Sequence, residues 1–398
     1  MPEKNVYLDN AATTPMDPRV IEEITKHFNE TYGNSSSLHS IGQKAGQILE
    51  KSRKIVASLI NADRDDIFFT SSGTESDNMA IMGVALKNKK RGTHIITSAI
   101  EHHAVENPCK HLEKKGFNVT YLPVDKYGII NIKQLEEAIT DKTILITIMT
   151  ANNEIGTIEP IKEIGKIAED HNIVFHTDAV QAFGKIPLDV NEMKIDLLSA
   201  SAHKIYGPKG VGMLYIREKG IRKGWGKFLE PLMYGGGHER DMRPSTVNVP
   251  GIAGFAKAVE LAKEEMSQEI KRQTKLRDKI IKSILEKIED SYLNGHPTLR
   301  LPNNVNLGFR YIEGESMVLD LDMEGIATST GSACSSKSLD PSHVLLAIGL
   351  KPEEAHGSLR VTIGRFTSEN DVDYFMQKIP TIVDRLRKIS PLARKPQK

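Results

Sequence analysis

The sequence predicts an α/β fold: a mainly parallel β-sheet covered by helices on both faces, followed by a smaller α+β unit. Three observations carry this. Short apolar runs rich in β-branched residues alternate with segments of helical spacing through the first two-thirds of the chain. The runs are apolar throughout rather than every second residue, as strands buried on both faces require. A long charged, periodic segment at 251–289 then leads into a mixture of strands and helices.

In chain order, strands are expected at 67–70, 94–98, 118–122, 143–149, 173–176 and 197–200. A further pair is expected around 212–216 and the segment after it. Between them, 48–60 and 161–171 have helical spacing: Ile48, Leu49, Ile55, Val56, Leu59 and Ile60 fall on one face. The later region offers strands at 304–309 and 360–363 and helices at 341–348 and 369–387.

Composition excludes several function classes. In 398 residues, 53 Lys and Arg stand against 52 Asp and Glu, so no net charge draws the chain to nucleic acid or an acidic membrane. No apolar run is long enough to cross a bilayer, and the opening Met1-Pro2-Glu3-Lys4-Asn5 has no secretory apolar core. Two cysteines, Cys109 and Cys334, supply neither a disulfide framework nor a multi-cysteine metal site. A reducing, cytoplasmic setting is expected. Cys109 falls in a helical stretch at 104–115 and reads as structural.

Open α/β sheets bind ligands beyond the carboxyl ends of their strands, so the residues just after each strand are the ones to read. Ser71-Ser72-Gly73-Thr74-Glu75-Ser76-Asp77-Asn78 follows the first. It is either a phosphate-binding helix start, with Gly73 for close approach and a Thr74 hydroxyl, or an ordinary Ser/Thr cap. Glu101-His102-His103 follows the second; in an extended chain only one histidine faces the site, where it would stack on a heteroaromatic ring and relay protons. Further ligands for a metal are lacking there. Asn152-Asn153-Glu154-Ile155-Gly156 offers amides to an oxygen or a carboxylate. Asp178, after 173–176, pairs with a pyridinium N–H or caps a helix.

The segment Ser199-Ala200-Ser201-Ala202-His203-Lys204-Ile205-Tyr206-Gly207-Pro208 sets a lysine at the end of a buried strand. Desolvating an ammonium is costly, and a neutral lysine forms imines with aldehydes; taken alone, the segment reads equally as a surface lysine at a strand-to-loop junction. Phosphate cradle, ring-stacking His, Asp, then Lys is the chain order of a pyridoxal phosphate site. Gly235-Gly236-Gly237-His238-Glu239-Arg240 through Ser245-Thr246 is either a phosphate loop shared across subunits or a mobile surface loop. Cys334 lies among small polar residues, Ser329-Thr330-Gly331-Ser332-Ala333-Cys334, and is available as a nucleophile. Arg360, flanked by apolar residues, suits a substrate carboxylate. Arg365, beside a turn, is expected to be solvated.

Together these motifs resemble the cysteine desulfurases, pyridoxal phosphate enzymes of the class V aminotransferase family and fold type I. The resemblance runs from Tyr7-Leu8-Asp9-Asn10-Ala11-Ala12-Thr13-Thr14-Pro15 to 360–367 and is closest to the iron–sulfur-cluster type with the long catalytic loop. It implies a large cofactor-binding domain, 15–260, with a mainly parallel seven-stranded sheet. Residues 1–14 and 261–398 would form a small α+β domain carrying the catalytic cysteine loop. It further implies that Lys204 holds the cofactor, Asp178 its ring nitrogen and Gln181 its phenolic oxygen, with His102 stacked on the ring. Gly73, Thr74, Ser201 and His203 would hold the phosphate, joined by Thr246 from the neighbouring subunit of a homodimer. Asn153 and Arg360 would bind the carboxylate of L-cysteine. Cys334 would take the sulfur as a persulfide, leaving L-alanine, and hand it to an acceptor such as an iron–sulfur cluster scaffold or a tRNA-thiolation protein. The alternatives are a selenocysteine lyase, a class V aminotransferase and a non-catalytic scaffold. One departure stands in Gly33-Asn34-Ser35-Ser36-Ser37, where the family has proline third; it removes no catalytic group.

Overall fold

The computed structural model describes residues 5–218, 222–331 and 340–391. Seven strands form one sheet in the order Ile67–Thr70, Gly212–Ile216, Leu197–Ser201, Val174–Asp178, Thr143–Thr147, His94–Ser98 and Asn118–Leu122. The last five pair in parallel. Gly212–Ile216 runs antiparallel to both of its neighbours. Chain length explains the exception: the link from Ser201 to Gly212 holds only a short turn, Ala202–Lys204, and a parallel crossover needs a dozen residues or more.

Neighbouring residues on each strand point to opposite faces, and each face has its own core. Ile96, Ile146, Phe175 and Leu198 meet one layer of helices. Ile95, Leu145, Val174 and Leu197 meet the other, built around Ile81, Val84 and Val105. Cys109 is wholly buried in this second core.

Several boundaries differ from expectation. The strand begun near 173 continues through Asp178, because a polar side chain does not interrupt the ladder: Asp178 pairs with Ser199, and its carbonyl accepts from Thr150 N. The one begun at Thr143 ends at Thr147. The extra strand expected after Ile216 is not found among the described residues. There Gly224, Gly226, Glu239 and Arg240 take positive φ, which breaks an extended run. The helix expected at 341–348 is shorter, His343–Ala347, capped by the Ser342 hydroxyl, which accepts from Leu345 N at 3.3 Å.

A third core lies under a three-stranded antiparallel sheet, Ser358–Thr362, Asn304–Phe309 and Ser291–Leu293. The 39-residue helix Val249–Lys287 joins it to the main sheet. Ile252, Phe255 and Val259 of that helix pack in the first core, and Leu276, Ile280 and Ile284 in the third. The N-terminal segment makes a second bridge. Val6–Tyr7 pairs in parallel with Ile326–Ala327. Asn10 Nδ2 then donates to Thr362 O at 2.8 Å, and Ala11 N donates to Thr362 Oγ1 at 2.9 Å. Thr14 N reaches the carbonyl of His203 on the main sheet at 3.0 Å. Among the described residues no helix is long and apolar enough to cross a membrane.

Candidate active site

The carboxyl ends of the parallel strands open on a cleft. Gly73, Thr74, His102, Asn153, Asp178, Gln181, Ser201, His203, Lys204 and Arg360 all line it. Residues spread over most of the chain therefore converge: all but one lie at or after the end of a main-sheet strand, and Arg360 comes from inside Ser358–Thr362 of the three-stranded sheet.

Ser72 caps the helix Gly73–Asn88, its hydroxyl accepting from Glu75 N at 3.1 Å. The amides of Gly73 and Thr74 are left unspent by the helix, and the helix dipole adds positive potential where they face the cleft. Gly73 is required by packing: a Cβ there would stand 2.6 Å from Val180 Cγ2.

His102 caps the next helix, His103–Glu113, its Nδ1 accepting from Ala104 N at 3.1 Å. The neutral ring therefore carries its proton on Nε2. Burial, aided by the charge of Lys204, pushes its pKa down to about 4, which keeps it neutral. Only His102 lines the cleft, as expected of one histidine in the pair, but for a different reason. His103 is already helical and turns to Glu106, with Nδ1 and Oε2 2.9 Å apart, and toward the His343 ring at 5.0 Å.

Asp178 accepts Val180 N at 2.8 Å and is buried, which raises its pKa, while the Lys204 charge opposes that rise. Behind it lies a closed polar layer that the sequence reading did not anticipate. His176 is fully buried and held neutral, its pKa pushed down to about 3 by burial. Its Nδ1 bonds Thr147 Oγ1 at 2.8 Å and its Nε2 bonds Ser199 Oγ at 3.0 Å. Asp77, also buried, stands 3.6 Å from His176 Nε2 and reaches the cleft wall; burial and then Asp178 raise its pKa. An aspartate amid the small and apolar residues of a helix was the available signal.

Lys204 ends the turn that follows Leu197–Ser201, and its Nζ donates to Ala11 O at 2.6 Å and Ala12 O at 2.8 Å. Gln181 Nε2 donates to the same Ala11 carbonyl at 2.9 Å. His203 is held by Thr13, with Nδ1 and Oγ1 3.0 Å apart. Arg360 Nη2 donates to Asp9 Oδ1 at 2.9 Å, and Nη1 donates to Asn153 O at 3.0 Å and Gly331 O at 3.3 Å. Its buried Nε–H is unpartnered in the described residues. The segment 9–13 is thus a wall of the site.

Three expected residues stand apart. Cys334 lies outside the described residues; Gly331, three positions before it, lines the cleft. Thr246 is exposed and does not line the cleft of its own chain. Arg365 is a correction: it is not solvated but mostly buried, pairing with Asp17 at 2.7 Å and Glu265 at 2.9 Å over the Tyr206 ring. The loop before Thr246 is anchored rather than loose. Arg53 donates to both carboxylate oxygens of Glu239, at 2.8 and 2.7 Å, with both side chains buried. Removing one member of a buried pair leaves the other unpaired, so Glu239→Gln is expected to cost about 3 kcal/mol. Urea denaturation measures this, and a loss under about 1 kcal/mol would class the pair with exposed ones.

The donor set suits pyridoxal phosphate: free amides at a helix start for phosphate, a buried carboxylate facing the cleft for a pyridinium, and a lysine at a strand end for the aldehyde.

The Aminotransferase class-V family model matches residues 6–375. The cysteine desulfurase IscS of Methanosarcina thermophila is 53% identical over 392 residues, covering 98% of this chain and 95% of that protein. Among solved structures, a NifS-like protein has a TM-score of 0.89 at 40% identity, covering 96% of this chain and 100% of the other. SspA, solved in complex with cysteine, has a TM-score of 0.79 at 39% identity, covering 92% of this chain and 100% of the other.

Proposed function

The chain belongs to the class V aminotransferase family and is a cysteine desulfurase, and from that premise we propose which residues do the work. The observation that carries the assignment is the meeting of Lys204, Asp178, His102 and Arg360 in one cleft. Pyridoxal phosphate, joined to Lys204, supplies the electron sink that loosens the bonds at the α-carbon of the amino acid.

Arg360 binds the carboxylate of L-cysteine. Its Nη atoms are held by Asp9, Asn153 and Gly331, so the fork is oriented before substrate arrives. Lys204 Nζ moves the α-proton, and His102 Nε2–H serves as a second proton donor. Asp178 keeps the ring nitrogen protonated, and the Gln181 amide donates to the phenolic oxygen. Gly73, Thr74, Ser201 and His203 hold the phosphate, with Thr246 reaching the site of a second copy in a homodimer. The Cys334 thiolate attacks the sulfur of bound cysteine. The carbon–sulfur bond breaks, carbon keeps the electron pair and gains a proton as L-alanine, and the sulfur remains on Cys334 as a persulfide. A cytoplasmic acceptor, such as an iron–sulfur cluster scaffold or a tRNA-thiolation protein, then takes it.

With L-cysteine and a thiol reductant, alanine and sulfide are expected in equal amounts. Sulfide accompanied by pyruvate and ammonia, with no alanine, would identify a lyase and overturn the reading.

A further inference from the structure

Lys185 belongs to none of the roles above, yet it sits directly behind the cofactor wall. Its Nζ donates to Gln181 Oε1 at 3.0 Å. An ammonium has no acceptor, so this contact fixes which end of the Gln181 amide is which. Oε1 must face Lys185, and Nε2 must face the cleft side, where it meets Ala11 O at 2.9 Å. A lone glutamine could present either end; this one cannot.

The charge is as notable as the hydrogen bond. Lys185 lines a pocket together with Tyr206, Glu265, Glu269 and Arg365. Both carboxylates are already engaged, Glu265 by Arg19 and Arg365 at 2.9 Å each and Glu269 by Arg272 at 2.8 Å. Among the described residues no carboxylate pairs with Lys185. Its charged neighbours on the cleft side are Lys204 and Arg360, both cationic, and burial with these charges pushes its pKa down to about 7.

We propose that Lys185 is a positioning residue of this reaction: from one side it locks the Gln181 amide, as Ala11 O does from the other, with its N–H toward the cofactor's phenolic oxygen. The proposal rests on the assignment of pyridoxal phosphate to Lys204. A lysine that merely fills space would leave the Gln181 amide and the hydrogen bond it offers the phenolic oxygen unchanged, and this decides the test. The pH titration of the visible absorption band is followed in the cofactor-loaded wild-type protein and in Lys185→Met, Lys185→Gln and Lys185→Arg. Removing the donor is expected to move the midpoint by about one pH unit in the Met and Gln variants, because the Gln181 amide, held then by Ala11 O alone, no longer keeps its N–H on the phenolic oxygen. Lys185→Arg, which retains cation and donor, is expected to titrate near the wild type. Two neutral variants guard against one that does not fold, and retained thermal midpoints identify those that do. Midpoints in folded neutral variants that coincide with the wild type would overturn the role. A wild-type band that survives Lys204→Ala would instead overturn the cofactor assignment, and the proposal with it.

Discussion

Lys204→Ala is expected to abolish the visible absorption of the cofactor-loaded protein and to lower alanine formation by about 10⁴-fold, the upper range for loss of a positioned acid–base group. The substitution removes both the covalent anchor and the group that moves the α-proton. The rest of the cleft is built independently of it. Ser72, Gly73 and Asp178 are positioned by their own helix and strand, and Gln181 keeps its bond to Ala11 O. Pyridoxal phosphate should therefore still bind, by its phosphate and ring nitrogen, with the absorption of the free aldehyde. The measurement is the spectrum together with alanine release. A persistent wild-type band would assign the linkage to another lysine.

This separation of anchor and cradle follows from what was legible in the sequence and what was not. The apolar strands could be read because burial on both faces leaves no room for polar alternation. Once they were placed, most rim residues followed, since they lie at or shortly after strand ends; Arg360, inside a strand of the smaller sheet, was picked out by its apolar flanks instead. Residues that depend on distant partners gave no such signal. Asp9 to Thr13 has neither periodicity nor an unusual charge. It becomes a wall of the site only because Thr362 and His203 hold it there. Arg365 looked like an exposed turn residue because its partners, Asp17 and Glu265, are remote in sequence. Lys185 was hidden for the same reason: its neighbour Gln181 is four residues away in sequence, but Ala11, which takes the other end of that amide, is remote. Local pattern reports what water and the backbone demand. Long-range charge is visible only once the chain is folded.

The polar layer behind Asp178 shows what the fold adds to chemistry. A buried carboxylate is poorly tolerated unless a cation faces it. His176 cannot serve, because burial keeps it neutral and its two nitrogens are spent on Thr147 and Ser199. Asp77 cannot serve either: it is itself a buried carboxyl whose pKa is raised by burial and then by Asp178. The remaining direction is the cleft, so the site is arranged to favour a cation at the place where a pyridinium nitrogen would sit.

Cys334→Ser should separate binding from sulfur transfer. Lys204, Asp178 and Arg360 are untouched by it, so addition of L-cysteine should still change the visible spectrum as in the wild type. Persulfide and sulfide formation should fall by at least about 10³-fold, as on loss of other nucleophiles that act within a catalytic unit. The reason is chemical: transfer requires a thiolate that is nucleophilic toward sulfur, and a serine hydroxyl at neutral pH is almost wholly protonated and a poor partner for sulfur. The chain's other cysteine provides the internal control. Cys109 is fully buried, and burial pushes its thiol pKa up, so it holds no thiolate at working pH and cannot reach the cleft. Cys109→Ala should therefore keep wild-type sulfide production, and wild-type protein after one turnover should gain the mass of one sulfur atom on the peptide containing Cys334. Sulfide formation by Cys334→Ser at the wild-type rate would show that sulfur leaves without a protein acceptor. It would also return the reaction to a lyase that uses the same cofactor wall.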